Sequence, residues 1–356
     1  MRPESETPEP PTSPAGPAED VFAPSAQAED TLHPHFRLLR DSPLFAPARD
    51  VLRDMHAGFA HCRCLVEALR TTAFDSALFD VSLFAIFDAA GHCISVRPGH
   101  PRFLISKDGS TAAVDTVLAP PGPEHPAGPG LGGALFLKLQ EHPWLLDDAA
   151  GKPLILAVED SHGGDEAGVA GSAAMLHFLF GNVQGLKSES HASASHEMTR
   201  MFPNGFFSQV ESENISAVLL CHDHGTLAKF NRIGQEGTHR AKTVRMLRHG
   251  HCEPAADMTS AASPFLYEVG QRGDAHERWN EGTMLIHNPF ARHPLPRGWL
   301  GASAEVELKD GAVVCIFSSA FHPLASVTET MPGDTPAWWM EMRANLIARQ
   351  MATHPK

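Results

Sequence analysis

Residues 72–91 read TAFDSALFDVSLFAIFDAAG, and this stretch, with the segments between it and residue 160, decides the fold. Phe74, Ala77, Leu78, Val81, Phe84 and Ala85 recur at helical spacing, which predicts an amphipathic helix. Thr72 is placed to cap it, Asp75 falls in its first turn, and Gly91 can end it. Working outward, PRFLIS (101–106) and TAAVDTVLA (111–119) read as strands, GGALFLKLQEH (132–142) as a second helix, and KPLILAVED (152–160) as a buried strand. An order of helix, short strands, helix and buried strand predicts an α/β fold, a mixed sheet flanked by helices.

Before this stretch, residues 1–31 are rich in Pro, Glu, Ser and Ala, with few large apolar side chains. Such a segment cannot bury enough surface to offset its ordering entropy, so a disordered acidic tail is expected. Residues 32–356 are then expected to form a single α/β domain, with a core over about 65–182. Within residues 36–70, LFAPARDVLRDMHAGF and HCRCLVEALR are helically periodic. The Pro/Gly run 119–133 and the polar stretch 183–200 read as loops. A β-rich extension is expected over about 200–330. In it, ISAVLLC and TLAKF read as a hairpin around HDHG, and THRAKTVRMLR as a short basic helix or strand. Two more strands are expected around Lys309-Asp310-Gly311. A helix over about 335–351 closes the chain, with Thr335 as cap and Trp338, Trp339, Met342 and Leu346 as its apolar side.

The chain has 356 residues and a formal charge of −14, which argues against non-specific coating of nucleic acid. Seven acids against one arginine in residues 1–31 account for −6 of that charge. There is no apolar run of the roughly 18–20 residues that a membrane helix needs. The N-terminus lacks the basic start and apolar segment of a secretion signal, so a cytoplasmic protein with free thiols at its 6 cysteines is expected. The 22 histidines against a single tyrosine invite a metal reading.

Several blocks resemble a family of uncharacterised bacterial proteins with a divergent PD-(D/E)xK nuclease-like core. They are TTAFDSALFDVSLFA, GGALFLKL, GKPLILAVEDSH, MLHFLFG, PNGFFSQVESENISAVLL, GTLAKFNRIG, WNEGTMLIHNPFARHPLP and FHPLASVT, together spanning roughly residues 71–328. Nucleases of that fold hold a divalent metal on one helix carboxylate and two strand carboxylates, beside a lysine. The resemblance places Asp80 at the helix acid, Arg102 at the first strand acid, Asp115 at the second, and Val117 at the lysine. Shortened acids draw back by more than the roughly 0.2 Å that coordination distances tolerate, and Arg102 brings positive charge to the ion's place. The resemblance therefore implies a degenerate core that does not cleave DNA or RNA with magnesium or manganese.

Other residues have chemistry to offer. Asp160 and His162 follow a buried strand, where acid–base pairs often sit; a simple turn is the alternative. With Asp80 and Asp115 they complete the set of catalytic candidates. His222 and His224, between Cys221 and the later His249, His251 and Cys252, are the most metal-like group, suited to zinc but in no standard spacing. Residues 229–251 carry six cations against Glu236, a net of +5. Lys229, Arg232, Arg240 and Arg245 there could bind phosphate, or could be paired to the protein's own acids. His287, Asn288 and His322 sit in two rigid polar loops that could join them in a ligand site. No glycine pattern makes a phosphate loop.

The leading expectation is a non-catalytic nuclease-like protein that binds nucleic acid or another phosphate-bearing ligand and needs no cofactor. One alternative is a magnesium- or zinc-dependent hydrolase using the histidine-rich half. Another is a partner-binding or effector protein. Oligomeric state is not legible.

Overall fold

The computed structural model describes residues 20–23, 29–58, 63–118, 130–160, 175–181, 204–253, 263–271, 276–319 and 321–353. Residues 119–129 of the expected loop 119–133, the expected loop 183–200, His162, and residues 1–19 and 24–28 of the acidic tail lie outside them, while 130–133, expected in the first loop, begin a helix instead.

The helix read from residues 72–91 is α4, Phe74–Ala89, preceded by α1 (Pro34–Asp41), α2 (Ala46–Gly58) and α3 (Arg63–Arg70). It is buried on two sides rather than one. Phe79, Leu83, Ile86 and Phe87 face the sheet, while Phe74, Ala77, Leu78 and Val81 meet the other helices. Thr72 does not cap it: Ala73 takes that position and makes no side-chain hydrogen bond. Gly91 follows the helix with φ +81, as a terminating glycine does.

Three antiparallel strands come next, β1 (Cys93–Val96), β2 (Phe103–Lys107) and β3 (Ser110–Leu118). Then α5 (Gly130–Glu141) crosses to β4 (Leu154–Asp160), which pairs in parallel with β3. β5 (Ala217–His222) continues the parallel set. β8 (Met284–His287), β9 (Ala304–Lys309) and β10 (Ala312–Phe317) complete a mixed sheet ordered β1-β2-β3-β4-β5-β8-β9-β10. β3, β4 and β5 are buried on both faces, which explains the unbroken apolar run LILAV in β4. One face carries Leu135 and Leu139 of α5 with Phe206 and Phe207; the other carries α4, Trp299 and Leu300.

Further sequence expectations change. TLAKF is not a strand but the start of a helix, α6 (Leu227–Glu236), capped by Thr226, whose hydroxyl accepts from Lys229 N at 3.3 Å. Leu227, Phe230 and Ile233 fit the helical period once the window is lengthened. Val21 and Phe22, expected in the disordered tail, are buried against Phe36 and Val51, and Glu29–Thr31 form a 3-10 turn. These two apolar side chains, with Arg70 donating to Val21 O and Ala23 O and Arg53 paired with Asp20, anchor this piece.

β6 (Val244–Glu253) forms a second sheet with β7 (Ser263–Glu268) and β11 (His322–Pro332), in the order β11-β6-β7. The closing helix, α7 (Ala337–Thr353), docks on it through Met340, Ile347 and Trp339. Trp338, Met342 and Leu346, expected on its buried side, are exposed. The Asp310-Gly311 turn is as expected: both residues have positive φ and join β9 to β10 by two residues. No helix among the described residues is long and apolar enough to cross a membrane. Cys93, Cys221, Cys252 and Cys315 are free thiols.

Candidate functional site

α4 and the β1–β3 meander bring two buried acids together with three basic side chains. Asp80 lies in the middle of α4, and its Oδ2 accepts from Arg102 Nε at 2.7 Å. Arg102 stands just before β2 and is steadied by a second bond, Nη1 to Arg97 O at 2.7 Å. Asp115 on β3 is fully buried. Its Oδ1 lies 2.6 Å from His100 Nδ1 and accepts from Thr116 N at 3.1 Å. Lys138 of α5 places Nζ 3.0 Å from Asp115 Oδ2, an ion pair rather than an aligned hydrogen bond, and 2.8 Å from Glu141.

Burial dominates the electrostatics here. It pushes the Asp80 carboxyl up to about 6 despite Arg102, and the nearby charge of Asp115 adds to the effect. Asp80 Oδ1 has no hydrogen-bond partner among the described residues. Burial opposes the charge on Lys138, but the bond with Glu141 and the field of Asp115 outweigh it and raise its affinity for the proton. A divalent ion needs hard oxygen ligands free to converge on it. Here Arg102 occupies one carboxylate, and His100 with Lys138 the other. The half-exposed His100 ring, held by a buried carboxylate, is free to meet a solute on its far side.

A second ionic cluster lies between α6 and β6. The Glu277 carboxylate is wholly buried and meets Arg232 at 2.7 Å, Lys229 at 2.8 Å and Arg248 at 3.4 Å. Burial alone would raise its pKa, but the three cations hold it well below the usual carboxylate range. Arg248 also reaches Glu281 at 2.6 Å, and Arg232 donates to Thr328 at 2.8 Å. A narrow polar cleft beside the cluster is lined by His222, Asp223, Lys229, Arg248 and Glu281.

The structure thus divides the residues singled out in the sequence. Asp80 and Asp115 lie near enough for their charges to interact. Asp160 pairs in register with His222 at the ends of β4 and β5, while Asp115 pairs with Leu156, roughly 13 Å back along the strand. The Asp160 side chain lies outside the described set. The basic run is not one solvated face: Lys229 and Arg232 are buried on Glu277, and Arg245 grips Glu268 by two bonds of 2.7 and 2.8 Å. Arg240 sets its guanidinium beside Gly270. Asn288 donates to Ser212 O and Ile215 O and accepts from Phe290 N, which is a structural role. His287 stands 3.4 Å from Glu305, and His322 2.9 Å from the Ser303 hydroxyl. His224 is fully buried with its ring nitrogens 2.8 and 3.0 Å from the carbonyls of His222 and Trp279, so it is not presented with His222 to an ion.

His100, Lys138 and Glu277 were not singled out in the sequence. Lys138 had a signal, as a lone cation inside the apolar run GLGGALFLKL. Glu277 had none, since Arg232 and Arg248 lie 45 and 29 residues away. Compared with protein-family models, curated proteins and solved structures, the chain finds no match.

Proposed function

We propose that this chain is a degenerate PD-(D/E)xK-like scaffold that binds a phosphate-bearing ligand, nucleic acid foremost, without cleaving it. The order α4-β1-β2-β3-α5-β4, with an antiparallel meander and a parallel return, supports the scaffold. The observation that carries the loss of cleavage is the pairing of both acids with the chain's own cations, Asp80 with Arg102 and Asp115 with Lys138.

The ligand would meet the rim of this site rather than the basic run, where Lys229, Arg232, Arg245 and Arg248 are paired with Glu277, Glu268 and Glu281. Arg97 and His100 have side chains 40% and 58% exposed; His100 touches Asp115, and the Arg97 carbonyl accepts from Arg102. Arg97 Nη2 pairs with the partly exposed Asp148 at 3.3 Å, which orients the guanidinium at the surface. A guanidinium and an imidazole so placed suit a phosphate oxygen. The lysine beside Asp115 favours one rival reading, retained metal-dependent cleavage with the lysine supplied from α5.

Fluorescence anisotropy with a labelled oligonucleotide separates the two. Binding should weaken as salt rises and be lost in Arg97→Glu/His100→Glu, with no cleavage in magnesium or manganese. Cleavage that vanishes in Asp115→Ala would establish the rival, and absence of salt-sensitive binding would end the phosphate reading.

A further inference from the structure

Residues 33–35 read His-Pro-His and open α1, while Asp75 stands in the first turn of α4. Pro34, at the start of α1, fixes the backbone between the two imidazoles. His33 is anchored by its own N–H, which donates to Arg70 O at 2.9 Å. The wholly buried Phe74 arranges both rings: His33 stacks on it at 5.0 Å, and His35 meets it edge-on at 5.8 Å. The two imidazoles lie edge to face at 5.2 Å. One ligand atom from each of His33, His35 and Asp75 lies within 4.8 Å of the others. No other group of three His, Cys, Asp or Glu side chains among the described residues comes together in this way.

We propose that His33, His35 and Asp75 bind a divalent transition-metal ion, zinc foremost, which clamps α1 to the start of α4. Two imidazoles and one carboxylate form a donor set that zinc accepts, and three protein ligands leave a fourth position for water. Bond lengths near 2.0–2.1 Å put tetrahedral ligand atoms roughly 3.3 Å apart. His35 Nδ1 and Asp75 Oδ1 already stand at 3.6 Å, and the half-buried His33 must bring its ligand atom in from a separation of no more than 4.8 Å. Binding has one local cost. His33 Nδ1 accepts from His35 N at 3.3 Å, and a neutral imidazole cannot keep that bond and also ligate an ion. The ion takes Nδ1 itself, or takes Nε2 and moves the proton to Nδ1; the long cap bond is given up either way.

The site is distinct from the Asp80–Asp115 cluster, so its test does not depend on phosphate binding. Cobalt(II) is titrated into the metal-stripped full chain and read by its visible absorption, and zinc by calorimetry and melting temperature. Wild type should take one tight equivalent and melt higher with zinc. His35→Ala and Asp75→Asn should weaken that equivalent by at least about tenfold to a hundredfold and lose the zinc-dependent rise in melting. Asp75 is exposed, so Asp75→Asn decides the matter if His35→Ala does not fold. A wild type with no tight equivalent, or one that survives unchanged in Asp75→Asn, would overturn the site; the remaining histidines would then be the binders.

Discussion

Arg102 Nε donates to Asp80 Oδ2 at 2.7 Å, joining the residue before β2 to the middle of α4. The pair leaves Asp80 only 6% exposed and Arg102 18%. Removing the cation strands a buried carboxylate. Arg102→Ala should therefore lose about 3 kcal/mol in urea denaturation. Asp80→Asn/Arg102→Ala should recover part of that loss, and manganese should stabilise Arg102→Ala but not the wild type. A single variant as stable as the wild type would show the pair to be idle.

Glu277 binds α6 to the second sheet by gathering three cations in a place that water does not reach. Glu277→Ala leaves those cations without their common partner and should cost about 3–5 kcal/mol. The loss should change little with added salt, because buried pairs are poorly screened. Chemical denaturation at low and high ionic strength measures both points; a loss that shrinks strongly with salt would place the cluster in solvent.

Two buried groups give opposite pH slopes in the same window. Asp80 has its folded pKa raised to about 6 from 3.8, so the folded state holds the extra proton and stability falls as pH rises between those values. Burial lowers His322 to about 4 from 6.5, so the unfolded state holds the extra proton and stability rises with pH across that range. Each amounts to up to about 3 kcal/mol. In the wild type they largely cancel. Asp80→Asn should uncover a rise in stability from pH 4 to 6, and His322→Gln a fall over the same range. Parallel profiles for all three proteins would show that neither group titrates as its burial dictates.

Gly234 lies where α6 crosses α2 most closely. A Cβ there would stand 2.5 Å from Pro47 O, a backbone atom that cannot turn aside. Gly234→Ala gains helix propensity of about 1 kcal/mol. Overpacking of this kind costs about 1–3 kcal/mol. The net effect on the melting temperature should be a decrease; an increase would mean that α2 can shift.

Elements with local signatures were legible. β3 and β4 were visible as apolar runs, α5 as a helical segment, and the β9–β10 turn as Asp310-Gly311. Each depends on residues within a few positions of one another. α6 was misread because a five-residue window cannot separate strand from helix. The burial of α4 on two sides was hidden for another reason. Its spacing shows that apolar side chains recur, not how many neighbours will cover them.

The candidate sites divide along the same line. Asp80 and Asp115 could be picked out as acids on a predicted helix and strand, but their partners could not. An ion pair depends on distance in space, and a cation reads the same in sequence whether solvated or buried. By itself the sequence determined the α/β class and the run from α4 through β2, β3 and α5 to β4, since backbone preference and apolar period act locally. Only the tertiary structure decided which charges meet: Lys138 with Asp115, Arg232 with Glu277, and the two histidines of His33-Pro34-His35 with Asp75. Those meetings are set by packing, which brings side chains tens of residues apart to within a few ångströms.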